Sequence, residues 1–375
     1  MSMRRKAHTV LCCAAIAAQH STAQHSTAKN GRCGMRRADL DIAKGIGILL
    51  VVWAHAKAPY NSYMYLFHMP FFFLISGYLH NHKAEFGTFF KRKVVSLYLP
   101  FVGWNLAVTV LKLLENPHRW KASMQTMVEI LLALEKDGEF FGATWFLASL
   151  FWVAVIYKAG ETLLSRYSWG PTALDLAFVG AGVLAFTVNL PYMQSRTVVL
   201  GLFYALGVAA RRHAAAVERW MDGRLALVAA VLFVVSGHYN SANMGANEYR
   251  HPVLFVVGAL LASYALLTFA KLADQAGQRW RVCGRINGLL CYFSRRSIDL
   301  VIWQFVAFRA IIFLQLALNH LPLSQWRDYY PVYDATHGWW LAYFLCGVVG
   351  SLVIAGVFRW LARQAGKLVG RTKQA

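Results

Sequence analysis

Long apolar stretches separated by short polar connections recur along most of the 375-residue chain. About 20 apolar residues are needed for a helix to cross the hydrocarbon core of a bilayer. The pattern therefore predicts an all-α fold, a polytopic transmembrane helix bundle with about ten spans. The predicted spans lie near residues 40–57, 63–79, 94–114, 143–159, 172–190, 196–210, 224–238, 252–270, 298–318 and 338–361.

Basic residues alternate between rich and poor connections along this series of spans. The rich connections precede the first span and follow the second, fourth, sixth and eighth, and the segment after the last span is also basic. Examples are Arg36 and Arg37, then Lys91, Arg92 and Lys93. By the positive-inside rule this alternation predicts an even number of spans with both termini in the cytoplasm.

The composition excludes several classes of protein. A chain that is 58% hydrophobic with a formal charge of +21 is typical of a multi-pass membrane protein rather than a soluble domain. The charge lies in short clusters beside the spans, so we expect contact with anionic membrane lipid and no binding of nucleic acid. The six cysteines show no CxxC spacing, so structural disulfides and zinc are not expected.

Residues 1–34 differ from the rest of the chain. They contain a basic start, a short apolar run from Val10 to Ala18, and a duplicated Gln-His-Ser-Thr-Ala. Two interpretations stay open: a secretory leader, or a mis-assigned amino-terminal extension with Met35 as the true start. The second agrees better with the charge pattern, because cleavage of a leader would tend to place Arg36 and Arg37 outside. We assign residues 35–375 to a single membrane domain.

Three ionisable residues in the first span lie on one face of the predicted helix. At 100° per residue, Lys44 and His55 are three turns apart and about 16 Å along the axis, and Asp41 lies within about 40° of the same line. Ionisable side chains are costly in a bilayer, so an aligned set indicates a functional line toward a protein interior or a water-filled cavity. Asp41 is three residues before Lys44, close enough to pair with it.

Other polar residues give weaker indications. His80 and His82 flank Asn81 after the second span, but two histidines without carboxylate or cysteine partners are weak evidence for a metal site. Trp145 begins a span, where an interfacial tryptophan is expected. The outer connections contain amides, acids and aromatic rings that suit sugar recognition, among them Asn240 and Glu248.

Four blocks of sequence resemble the acyltransferase 3 family of integral membrane O-acyltransferases. The blocks are RADLDIAKGIGILLVVWAH at 37–55, FHMPFFFLISGYL at 67–79, KRKVVSLYLPF at 91–101 and TWFLASLF at 144–151. Within the family the chain is most similar to the branch of fucose 4-O-acetylase and the xanthan-type exopolysaccharide acetylases. The blocks cover the first 150 residues, and the helix count extends the resemblance more loosely to the rest.

The resemblance implies roles for particular residues. The first-helix motif of the family is a basic residue, ten intervening residues and a histidine, which maps onto Lys44 and His55 as the catalytic pair. Many members have arginine at the basic position, so Lys44 departs from the broad pattern; lysine is a compact charge, not a bidentate fork.

Later blocks carry over to other positions. The basic stretch implies that Arg92 and Lys93 bind the donor. The second block implies that His68 and Ser76 contact substrate, and we add Trp145, Asn240 and Glu248 to the expected substrate-binding residues. Gln304 stands where a histidine is expected in this branch.

Together these observations predict an O-acetyltransferase of the bacterial inner membrane. Acetyl-CoA would be the donor, with no metal, and the acceptor would be a sugar hydroxyl of an exopolysaccharide or of its undecaprenyl-linked oligosaccharide precursor. His55 would act as the base, since imidazole has a suitable pKa near neutrality. A polysaccharide-synthesis complex is a further expected partner.

Two alternatives remain open from the sequence. The chain could be a transporter or flippase of lipid-linked sugar with an intramembrane Asp/Lys/His relay. It could also be a non-catalytic assembly partner in polysaccharide synthesis.

Overall fold

A computed structural model describes residues 37–133, 142–191 and 194–372, with the side chains of 132–133 and 365–372 excepted. Residues 1–34 and Met35, on which the sequence left two interpretations open, lie outside the described residues.

Helices make up nearly all of the described chain. In chain order they are α1 (Ala38–His55), α2 (Asn61–Tyr65), α3 (His68–Tyr78), α4 (Phe86–Lys93), α5 (Leu99–Glu115), α6 (Trp120–Val128), α7 (Trp145–Leu164), α8 (Gly170–Leu184), α9 (Gln194–Arg212), α10 (Ala214–Trp220), α11 (Gly223–Tyr239), α12 (Pro252–Arg279), α13 (Arg281–Arg295), α14 (Ser297–Leu318), α15 (Trp339–Leu345) and α16 (Ser351–Thr372). Single π-helical turns at Val94–Tyr98, Glu129–Ala133 and Cys346–Gly350 and short 3₁₀ turns join or extend several of them.

A two-stranded antiparallel hairpin follows α11. Its strands are β1 (Ala242–Asn243) and β2 (Glu248–Tyr249), with Ala242 opposite Tyr249 and Asn243 opposite Glu248. This hairpin occupies the connection in which the sequence indicated sugar-binding residues.

Each of the ten apolar segments predicted from the sequence falls on helix. Among the described residues, however, five helices are long and apolar enough to cross a membrane, or six if the bent pair α10 and α11, which meet at 83°, is one span. The five are Phe86–Glu115, Gly142–Leu164, Pro252–Arg279, Ser297–Leu318 and Trp339–Gln364. The helical fold is thus observed, while the number of ten spans and the cytoplasmic termini stay predictions.

The charge and the length of particular helices explain why fewer than ten are long and apolar enough to cross a membrane. Helix α1 has 18 residues but carries Asp39, Asp41 and Lys44, which lower its apolar character. Helix α3 has only 11 residues and α8 only 15, less than the roughly 20 that cross the hydrocarbon core unaided.

Helix α11 shows the surface expected for contact with lipid. Large apolar side chains project from it without protein cover: Leu227, Val228, Val231, Leu232, Val234 and Val235 are each about half exposed or more. Contiguous exposed apolar surface of this extent is unusual on a soluble protein and is normal where acyl chains supply the cover.

The described residues divide into two compact units, and each is described by itself. The His55 unit comprises those within Met35–Phe90 and Ser149–Ile298, and the Trp145 unit those within Lys91–Ala148 and Asp299–Ala375. Each of these units combines segments that are distant in sequence.

Helix α1 packs against four neighbours in the His55 unit, namely α2, α3, α12 and α13. Its closest approach is at Gly45, where a Cβ would overlap the backbone carbonyl of Leu290 in α13. Gly47 similarly faces the ring of Phe71 in α3. Small residues at these positions let helix backbones approach closely, which is how helices gain packing contacts in lipid.

Helices α3 and α9 touch through a reciprocal pair of glycines. A Cβ on Gly77 of α3 would overlap the carbonyl of Tyr204, and a Cβ on Gly207 of α9 would overlap the carbonyl of Leu74. Because each obstacle is backbone, neither can move aside without shifting a helix. Gly77 is thus placed at a helix contact.

We expect Gly77→Ala and Gly207→Ala to destabilise the protein by about 1–3 kcal/mol, because the added methyl group overpacks the helix contact. Gly180→Ala in α8 is the matched control, since a Cβ there meets nothing within 4 Å and alanine favours the helix. Thermal unfolding of the detergent-solubilised protein measures the difference. If Gly180→Ala destabilised the protein as much as the other two substitutions do, the proposed packing would be contradicted.

Candidate active site

Helices α1 and α3 run antiparallel, which gives the His55 unit two distinct ends. At one, which we call the Arg37 end, the Arg37 guanidinium donates to the Tyr78 hydroxyl at 2.9 Å. At the other, the His55 end, the rings of His55 and His68 lie 6.4 Å apart between centroids. The charged line on α1 therefore joins two ends that carry different chemistry.

The predicted pairing of Asp41 with Lys44 is present. Lys44 Nζ lies 2.7 Å from Asp41 Oδ1, and Ser294 Oγ of α13 donates to the same oxygen at 3.3 Å. The Asp41 side chain is 9% exposed and that of Lys44 26%. The carboxylate thus compensates the ammonium charge, orients it and ties α1 to α13.

Three rings meet at the His55 end. The Tyr65 ring contacts His68 edge-on at 5.5 Å and His55 at 6.1 Å. Its hydroxyl donates to the Ala54 carbonyl at 3.3 Å, the residue before His55. Tyr65 therefore bridges the end of α1 and the start of α3, a role that the sequence did not reveal.

The hydrogen bond of His68 defines its tautomer. His68 is buried, and its Nδ1 contacts the Met64 carbonyl oxygen. A carbonyl only accepts, so Nδ1 carries the proton and donates it. In the neutral ring Nε2 is then the proton acceptor.

The β1–β2 hairpin contributes to the same end of the unit. Strand β1 contacts α2, the short helix between the two histidines, and the α11 residue Gly237 lies against the Tyr63 ring. Glu248, expected to bind substrate, is exposed on β2. The structure thus brings this sequence-predicted residue to the side of the molecule that carries His55.

Asn240, also expected to bind substrate, has a structural use in this connection. It is buried; its Oδ1 accepts from the backbone N–H groups of Ser241 and His251, and its Nδ2 donates to the His251 carbonyl. The amide closes the base of the hairpin and thereby sets the position of Glu248.

The remaining predicted residues are spread along the chain. Ser76 is half-buried on α3, one residue before the glycine contact with α9. In the Trp145 unit, Arg92 is exposed and Lys93 half-buried at the end of α4. Trp145 begins α7 as expected, with its side chain buried. Their roles toward substrate and donor stay predictions.

The Gln304 side chain occupies a fully buried position on α14 of the Trp145 unit. Its amide Nε2 donates to the Val301 carbonyl at 3.2 Å. The departure from histidine at this position thus places a neutral amide in the core of that unit.

The Arg37 end is rich in charge. Arg37 pairs with Asp39 at 2.9 Å and with Glu218 at 2.6 Å, and Arg211 lies over the Tyr78 ring. The hydrogen bond that Arg37 donates to the Asp39 carboxylate, opposed by partial burial, raises the pKa of Arg37 above its usual range. This cation is therefore permanently charged at the end that we predict to be cytoplasmic.

A second polar cluster follows α3 at the opposite end of that helix from His68. His80 and His82 both contact the Glu161 carboxylate of α7, at 3.2 Å and 2.5 Å. Lys158 Nζ donates to the same carboxylate at 2.6 Å. Burial lowers the pKa of His80, although Glu161 opposes the shift. The sequence did not indicate this cluster, because Glu161 is some eighty residues further along the chain.

Comparison with known proteins adds independent evidence. A family model, Acyl_transf_3, described as an acyltransferase domain, matches residues 37–360. The chain is also 28% identical over 198 residues to the nodulation protein NolL of Mesorhizobium japonicum (strain LMG 29417 / CECT 9101 / MAFF 303099), a match that covers 47% of this chain and 49% of that protein. The chain thus spans about half the length of the curated relative it matches. No solved structure matches it.

We expect Asp41→Asn to lower the free energy of unfolding by roughly 1–3 kcal/mol, because it leaves a partly buried ammonium without its counter-charge. Glu218→Gln is the matched control: it removes an ion pair whose side chains are 35% and 44% exposed, and such pairs contribute about 1 kcal/mol or less. Chemical or thermal unfolding in detergent measures both. Equal losses of stability in the two variants would show that the Asp41–Lys44 pair contributes no more than an exposed ion pair.

Proposed function

Because the chain belongs to the acyltransferase 3 family, a membrane acyltransferase family, we propose that it moves an acetyl group from acetyl-CoA to a sugar hydroxyl. The acceptor is an exopolysaccharide or its lipid-linked precursor, as the resemblance to the fucose 4-O-acetylase branch indicates. The observation that carries the proposal is the grouping of His55, Tyr65 and His68 at one end of α1, with the Lys44–Asp41 pair further along the same helix.

The reaction needs a base at the acceptor oxygen. In the proposal His55 removes the hydroxyl proton while that oxygen attacks the thioester carbonyl carbon. A C–O bond forms, the C–S bond breaks, and the proton passes from His55 to the departing thiolate of coenzyme A. The acetyl ester and free coenzyme A are the products, and no oxidant or reductant is required.

The neighbours of His55 act by position. His68 faces it with Nδ1 held by the Met64 carbonyl, so its acceptor nitrogen Nε2 is available to a sugar hydroxyl. The Tyr65 hydroxyl is anchored on the backbone next to His55. The hairpin with Glu248 supplies polar surface on the same side, where a glycan would approach.

Lys44 suits the donor side of the reaction. A coenzyme A donor is cytoplasmic, and Lys44 lies toward the Arg37 end of α1, which the basic residues assign to the cytoplasm. Its ammonium group would stabilise an anionic part of the donor, about 16 Å along α1 from the carbonyl group that reacts beside His55. Arg92 and Lys93 are assigned to the donor phosphates on the resemblance alone.

We expect His55→Ala to lose about 100-fold or more of the acetyl transfer rate, the usual contribution of a general base. The assay incubates the purified protein with labelled acetyl-CoA and glycan or lipid-linked oligosaccharide extracted from the membrane. His213→Ala, an exposed histidine before α10, is the matched control and keeps full activity. Full activity in a correctly inserted His55→Ala protein would overturn the assignment of the base.

We expect Lys44→Met to raise the KM for acetyl-CoA by about tenfold, since a charge-assisted hydrogen bond contributes about 1.5–3 kcal/mol. Lys44→Arg restores much of the loss, because arginine keeps the charge. The KM for the acceptor should stay within about twofold, which separates a donor role from a general structural defect. A change confined to the acceptor KM would contradict the donor assignment.

The cellular readout is the O-acetyl pattern of the surface polysaccharide, measured by NMR with and without this chain. We expect acetyl groups to disappear from one sugar position while the amount of polymer is kept. Loss of polymer in proportion to acetyl groups would favour an assembly role. Sugar movement that depends on membrane potential, without consumption of acetyl-CoA, would favour a transporter.

A further inference from the structure

We propose that His80, His82 and Glu161 form a binding site for a divalent transition-metal ion, with zinc as the best match. The site lies where the chain leaves α3 and meets α7, in the His55 unit. It is separated from His68 by the length of α3, 11 residues or about 16 Å. The proposal is therefore independent of the acyl-transfer site.

The donor atoms already converge. One ligand atom from each of the three residues lies within 4.8 Å of the other two. Around a tetrahedral zinc ion with ligand distances of about 2.1 Å, neighbouring ligand atoms are about 3.4 Å apart. The present separations exceed that value by at most about 1.4 Å, the difference between 4.8 Å and 3.4 Å.

The chemistry of the donor set fits zinc. Two imidazole nitrogens and one carboxylate oxygen are a ligand set that zinc uses in proteins, with the fourth position open to water. His80 Nε2 faces Glu161 Oε2 and His82 Nδ1 faces Glu161 Oε1. Binding would replace the protons shared in these two contacts by one ion.

The atoms of His80 and Glu161 that would face away from the ion each contact another side chain. His80 Nδ1 lies 2.7 Å from the Tyr204 hydroxyl, which can accept its proton. Lys158 Nζ donates to Glu161 Oε2 and to the His82 carbonyl at 3.0 Å, leaving Oε1 to face the ion. Groups in such positions fix the orientation of metal-ligating histidines and carboxylates in known sites.

The ligands also differ in access, which gives the site an entry path. His80 is buried against the rings of Tyr157, Tyr204 and Phe89, while the His82 side chain is 39% exposed. Zinc would thus enter from the exposed His82 side and then bind the buried His80.

The sequence alone indicated no metal at His80 and His82, because two histidines in one connection do not reveal which carboxylate the fold brings to them. Folding supplies the missing carboxylate from α7. A bound ion would link the end of α3 to α7 and stabilise that contact.

The test uses the full chain, purified in detergent with its affinity tag removed and then equilibrated with zinc chloride. We expect about one tightly held zinc ion per chain, measured by mass spectrometry after buffer exchange, and a rise in the unfolding temperature on addition of zinc. Cobalt chloride provides a second readout through its visible absorption.

His82→Ala and Glu161→Gln should each weaken zinc binding by about tenfold or more and abolish the rise in unfolding temperature. His82 is partly exposed, so its variant should fold even if Glu161→Gln does not. His213→Ala is the control and should bind zinc as the unaltered chain does. No retained zinc and no thermal shift, or equal zinc binding in His82→Ala, would show that the cluster holds hydrogen bonds only.

Discussion

Ionisable side chains placed on apolar helices must be compensated, and this constraint governs the His55 unit. The Lys44 ammonium sits on a helix that packs against four others, and the buried Asp41 carboxylate compensates it at 2.7 Å. Ser294 completes the environment of that carboxylate from α13. Losing either partner would leave a charge without a counter-charge in a poorly solvating environment. The contacts that α1 makes with α13, at Ser294 and at the Leu290 carbonyl, fix the rotation of α1 about its own axis. That rotation in turn decides where His55 points.

The same principle separates the two ends of the unit. At the Arg37 end, arginines and acids pair close to the surface, and Glu161 collects three donors at the end of α3. At the His55 end aromatic and imidazole rings face one another, and the Glu248 carboxylate lies on the neighbouring hairpin. A charged donor and a neutral sugar hydroxyl need these two environments respectively, so the distribution of charge matches the proposed reaction in a way that no single residue does.

Much of the fold could be predicted from the sequence, because hydrophobic runs report helices directly. All ten apolar segments fall on helix, and the pairing of Asp41 with Lys44 follows from a spacing of three residues on one helix. The number of spans is harder to predict: α1 is apolar in its second half but acidic at its start, and α3 is short. Periodicity shows that such a helix is buried on some face, but not whether its cover is lipid or protein.

The tertiary part of the site was not accessible in this way. Tyr65 looked like one more aromatic residue in an aromatic-rich stretch, and its contact with both histidines depends on the turn between α1 and α3. Glu161 reads as an ordinary charge near the end of an apolar helix. Only the folded chain, in which the residues after α3 meet α7, shows that it faces His80 and His82. Residues that act together through contacts of high sequence separation leave no local pattern.

The paired glycines between α3 and α9 have a consequence for motion. The backbone of each helix occupies the space that a side chain would fill at the glycine of the other helix. If α3 slid along α9 by even one residue, a side chain would overlap a carbonyl group. The two helices therefore keep their axial register and move, if they move, as one body. Any opening that admits a long donor and releases a large acceptor must be sought at joints other than this one, in the loops and helix ends that lack such an interlock.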